Sequence, residues 1–111
     1  MANQKSVDET FIVLTTEVNE TIAESLAKEL LNRKLAACVH LREVRSYFVW
    51  KGNLEQSNEV QLLIKTNKAR LENLLDVVNQ LHSYQTPELL YWSASTSDAY
   101  KEWIQDSVSH S

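Results

Sequence analysis

An α+β domain built on a four-stranded antiparallel sheet is the fold class this sequence predicts, and three features predict it. Two stretches, near 19–34 and 67–81, place apolar residues at the three- and four-residue spacing of amphipathic helices. Strand-like runs surround them, two of which meet at Gly52, the single glycine in 111 residues. Pro87, the single proline, separates the second helical stretch from a further apolar run. The order strand–helix–strand–strand–helix–strand, followed by a third helix, is the ferredoxin-like βαββαβ pattern with a C-terminal addition.

Each element has its own signal. Phe11–Leu14 is a short apolar run suited to a strand buried on both faces. Asn19 suits a helix N-cap, with Glu20 and Glu24 in the first turns. Ile22, Ala23, Leu26, Ala27, Leu30 and Leu31 then give an apolar face up to about Lys34, and Arg33 and Lys34 match the negative end of the dipole. Ala36–Trp50 reads as one long strand, with Ala37, Val39 and Leu41 on one face and Cys38 and His40 on the other. Lys51-Gly52-Asn53 is the turn, where glycine accepts a positive φ. Asn58–Thr66 returns with Val60, Leu62 and Ile64 on one face. Asn67 caps a second helix carrying Leu71, Leu74, Leu75, Val78 and Leu81, which Pro87 stops. Glu88–Ala94 is the fourth strand, and Ser97 and Asp98 open a helix with Tyr100, Trp103 and Ile104 on one side. Helices on one face of the sheet leave the other face needing a partner or water.

The long hairpin sets a size constraint. Ala37–Trp50 as a strand spans roughly 45 Å at about 3.3 Å per residue. A compact domain of this length is only about 35 Å across. The hairpin of the second and third strands therefore protrudes, yet its tip carries Tyr47 and Val49 on one face and Phe48 and Trp50 on the other. Apolar patches of that kind are rare on monomers, which predicts an oligomer packed through the hairpin.

Composition bounds the rest. The chain is one domain, 1–111, with short flexible ends expected at 1–8 and 107–111. Its 43% apolar and 23% charged content is that of a globular protein, and no run reaches the length of a membrane span. The first residues lack the apolar core of a secretory signal, and Cys38 stands alone, so a reducing, cytoplasmic setting is expected. Net charge is −4, and Glu59 and Glu72 bracket the nearest basic cluster, Lys65, Lys68 and Arg70. Nucleic acid is not an expected partner.

Four segments carry a family resemblance: Lys34–Val39 (KLAACV), Ser46–Glu55 (SYFVWKGNLE), Glu59–Thr66 (EVQLLIKT) and His82–Leu90 (HSYQTPELL). In order and spacing they resemble the CutA divalent-cation tolerance proteins, over nearly all of Phe11–Trp103. The resemblance implies a ferredoxin-like fold, a homotrimer joined by hairpins and edge strands, and an association with copper or a similar divalent cation. That trimer is similar to the PII signalling proteins, which bind small ligands between subunits. A PII-like signalling or scaffold trimer with a ligand in its inter-subunit cleft is therefore the alternative reading. This chain departs from the family pattern at Arg42–Arg45, at Ser83, and at Thr15 and Leu81, where some bacterial members have a cysteine and a second histidine put forward as metal ligands.

Candidate site residues follow. His82 is a metal candidate at a helix end, against a bland reading in which backbone carbonyls and the dipole satisfy it. Cys38 with His40 forms a C-x-H pair able to offer two ligands to copper or zinc, against a small buried cysteine. Glu59, Lys65 and Glu88, with Tyr47, Trp50 and Tyr84 as aromatic walls, form a candidate inter-subunit cleft, against structural ion pairing. Enzyme readings find no residues: one glycine cannot build a phosphate loop or nucleophile elbow, and Thr15–Glu20 is acidic where an acylphosphatase-like fold would need to cradle phosphate. Asn58–Thr66 carries none of the exposed aromatics that an RNA-binding sheet of this topology uses.

Overall fold

The structure, a computed structural model, describes residues 8–109. Its elements are β1 (Thr10–Glu17), α1 (Glu20–Asn32), β2 (Cys38–Trp50), β3 (Asn53–Asn67), α2 (Lys68–Leu81), β4 (Leu90–Ala94) and α3 (Asp98–Val108). The sheet is antiparallel in the order β2-β3-β1-β4. The expected ends 1–7 and 110–111 lie outside the described residues, whereas Ser107 and Val108 belong to α3 and Val108 is buried.

Side chains cap the starts of α1 and α2. Asn19 Oδ1 accepts the Ile22 amide at 2.9 Å, and Asn67 Oδ1 accepts the Arg70 amide at 3.2 Å. The end of α1 differs from the sequence expectation. The Leu35 amide bonds the Leu30 carbonyl and the Lys34 amide the Leu31 carbonyl, which is a Schellman closure. Lys34 thus occupies the left-handed position, at φ 57°, where glycine is usual. Leu30 and Leu35, both buried, sit at the pair of positions whose apolar contact commonly accompanies that closure.

The core lies between one sheet face and α1 with α2. Val13, Leu62 and Ile64 from the sheet meet Ala23, Leu26, Leu30, Leu74 and Val78. Lys65 has the opposite parity to Ile64 and donates to Tyr100 Oη of α3 at 3.1 Å, its ammonium 5.2 Å from the ring centre. So α3 covers part of the second face, correcting the expectation that all helices share one. Arg70, buried on α2, locks α3 down by donating its Nε–H to the Val108 carbonyl at 2.7 Å.

The hairpin is longer than its signals. Its turn is only Lys51-Gly52, with φ of 51° and 80°, the two-residue geometry that matches strand twist. Asn53 pairs with Trp50, and β3 begins there rather than at Asn58. Because β1 stops opposite Val60, residues 53–59 pair with β2 alone and protrude. The molecule measures 51 × 24 × 22 Å. At the other boundaries β4 begins at Leu90, and α2 ends at Leu81, well before Pro87. His82 terminates it by turning extended, for reasons that lie in its side chain.

Replacing Lys34 by glycine should remove the left-handed penalty, less the entropy glycine gains when unfolded. A net stabilisation of about 0.5–1 kcal/mol is expected in urea denaturation.

Candidate functional site

Three polar groupings can be built upward from the sheet. The first encloses His82, whose side chain is wholly buried. Its Nδ1 accepts the Tyr84 amide at 3.0 Å, and its Nε2 lies 3.1 Å from Thr15 Oγ1. Thr15 donates its own hydroxyl hydrogen to the Glu88 carbonyl at 2.6 Å, so it accepts from His82. In these bonds Nδ1 is the acceptor and Nε2 the donor. Glu17, also wholly buried, accepts the amides of Val18 (3.0 Å) and Ser83 (2.9 Å) and lies 3.6 Å from His82 Nδ1. The relay runs Nε2–H of His82 to Thr15 to the Glu88 carbonyl. It pins both ends of the loop between α2 and β4 to the end of β1. His82 is thus satisfied by a hydroxyl and an amide, not by carbonyls and the helix dipole.

The second grouping is a hollow of about 420 Å3 at the base of the protruding hairpin. Tyr47, Glu59, Tyr84 and Glu88 line it together, joined by Thr16, Ser46 and Phe48. Tyr84 donates its phenol hydrogen to Glu59 Oε2 at 2.7 Å, strapping the loop across the end of β1 onto β3. Burial, then the Glu59 carboxylate, pushes the Tyr84 phenol well above the usual tyrosine range, so it stays a donor. Trp50, at the tip, and Lys65, bonded to Tyr100, are not part of this hollow.

The third is Cys38, a half-buried free thiol opposite Lys65 on β2. The register places it with Lys65 and Ile12, on the opposite sheet face from Thr15 and therefore from His82. One chain does not bring the two metal candidates together. Among the described residues no three of His, Cys, Asp and Glu are placed to hold a metal ion. Both nitrogens of His82 are also engaged by Thr15 and the Tyr84 amide.

Sequence reading missed Thr15 and Glu17 as buried polar groups. Their spacing of two and four residues from Val13 is the available signal, since it puts all three on the core face. It takes the structure to supply the partner that makes a buried carboxylate tolerable.

Residues 11–107 match the family model for the CutA1 divalent ion tolerance protein. A divalent-cation tolerance protein CutA of Yersinia pestis is 42% identical over 108 residues, covering 96% of this chain and 91% of the relative. The structure of CutA from Synechococcus elongatus superposes with a TM-score of 0.89 at 30% identity, covering 94% of each chain. CutA1 from Pyrococcus horikoshii gives 0.86 at 30% identity, covering 90% of this chain and 99% of that one.

Thr15→Val should leave the buried His82 N–H and the Glu88 carbonyl without their partner. A loss of about 1–3 kcal/mol is expected in urea denaturation. Tyr84 gives a pH prediction whose sign follows from its raised ionisation. Its contribution is full below about pH 10, the ordinary tyrosine value, and is lost as pH rises beyond it. The absorbance change that separates the parent from Tyr84→Phe in an alkaline titration should therefore appear only above that pH.

Proposed function

The chain belongs to the CutA1 divalent ion tolerance family, and from that premise we propose that it acts without catalysis, as a cytoplasmic homotrimer that takes up copper or a similar divalent cation. The observation that carries the assembly is the hairpin tip. Tyr47, Val49, Trp50 and Leu54 are between 62% and 77% exposed on a ribbon with no third strand beside it among the described residues. The β4 edge shows a matching need: Leu90, Tyr91 and Trp92 are exposed in succession along an outer strand. An unpaired edge with three large apolar side chains invites pairing, and the protruding ribbon has backbone and aromatic surface to offer. A three-fold arrangement lets each copy give a hairpin and receive one.

Cation uptake rests on the family. Since the described residues of one chain gather no three donors, the reading places the ion where subunits meet, with His82 and Cys38 as the donors to test. A second reading has one observation behind it: the hollow holding Tyr47, Glu59, Tyr84 and Glu88. In a PII-like trimer this hollow would take a small molecule between subunits.

Sedimentation should give a trimer at micromolar concentration, and a monomer there would refute the assembly. Trp50→Ala should cost about 3–5 kcal/mol and release monomers, whereas a variant trimer that melts like the parent would remove the ring from the interface. Copper calorimetry on the parent, His82→Ala and Cys38→Ser should show a saturable site that one variant loses. No saturable heat would turn the function toward the hollow.

A further inference from the structure

At the far end of β1 from the hairpin, a second hollow of about 300 Å3 opens between the start of β1, the end of β4 and the start of α3. Thr10 and Glu17, the two ends of β1, are seven residues apart, roughly 23 Å along a strand, so this hollow stands apart from the hairpin and from the His82 relay.

Three observations there converge on a ligand. Thr10, 4% exposed, lines the hollow, and its Oγ1 is a buried oxygen without a hydrogen-bond partner among the described residues. By register Thr10 pairs with Ala94 and Asn67 and has the parity of Lys65, so its side chain is on the face that α3 covers. The hollow is next bounded by the N-terminus of α3, an eleven-residue helix. Ser97 caps only the Tyr100 amide there, and among the described residues no side chain caps the Asp98 and Ala99 amides. Finally, Lys101 lines the same space as Glu9 and Asp98, yet no salt bridge joins it to either. Opposite charges face one hollow without neutralising one another.

We propose that this hollow binds a free α-amino acid as its zwitterion, the carboxylate toward Lys101 and the first amides of α3, the ammonium toward Glu9 and Asp98. The charge count selects this class. Two carboxylates against one ammonium disfavour phosphates and dicarboxylates, even at a helix N-terminus. A simple cation would meet Lys101, whereas a zwitterion complements both signs at once. Thr10 then gains the polar partner it lacks, and the surrounding Ser93, Ser95 and Thr96 favour a small polar side chain over a large apolar one.

Calorimetry of the full-length protein against each common L-amino acid, with acetate and methylamine as half-ligands, tests this. At least one amino acid should bind saturably, serine and glycine before leucine, and neither half-ligand should saturate. Lys101→Met and Asp98→Asn should each weaken that binding tenfold or more while the melting temperature stays near the parent's. Thr10→Val, which fills the same volume without the hydroxyl, should weaken binding while leaving the fold intact. The proposal is overturned if no amino acid saturates, if acetate or methylamine alone binds as tightly, or if the Lys101 and Asp98 variants bind like the parent.

Discussion

The length mismatch between the hairpin and its neighbours governs this molecule. β2 and β3 run for 13 and 15 residues, while β1 offers only eight as a third strand and β4 five as a fourth. A sheet of matched strands would cover its own faces with its own helices. Here the backbone of the outer hairpin leaves the domain, carrying aromatics on both faces into solvent. The hairpin can be this long because a two-residue turn at Lys51-Gly52 keeps the ladder in register to its last pair, Trp50 and Asn53. From that mismatch come the apolar tip, the underpaired β4 edge and the hollow at the hairpin's base.

Where β1 stops, the protein substitutes side chains for the missing strand. Glu17, the last residue of β1, is a fully buried carboxylate that takes up the Ser83 amide. Thr15, two residues earlier, joins His82 to the Glu88 carbonyl. The loop from α2 to β4 is thus held by polar bonds whose partners are all satisfied, which is the condition for burying such groups without loss. Tyr84 carries the same loop onward to Glu59, so the hairpin base and the loop behave as one unit. A His82 committed in this way cannot be a free ligand within one chain.

The second face is built on a different principle. α3 sits on it through Ile104 and Val108, through the Lys65–Tyr100 contact, and through Arg70 closing the helix's last turn. The sheet is therefore covered on both sides near its base and bare near its tip, a polarity that separates a rigid base from a surface with unmet apolar contacts.

The sequence by itself determined the element order, the sheet type, both asparagine caps and the protrusion of the hairpin. These are properties of local periodicity, of capping chemistry and of strand length against domain size, all carried by neighbouring residues. It also named Tyr47, Trp50, Glu59, Lys65, Tyr84 and Glu88 as companions, of which the fold brings Tyr47, Glu59, Tyr84 and Glu88 to one hollow and leaves Trp50 and Lys65 outside it. Tertiary structure alone decided which face α3 covers, that Lys34 takes the left-handed position, and that α2 ends at Leu81, well before Pro87. It alone separated Cys38 from His82. Those outcomes depend on which strands become neighbours: a one-residue shift in parity moves a side chain across the sheet, and a buried carboxylate or imidazole is tolerable only when a distant segment supplies its hydrogen bonds.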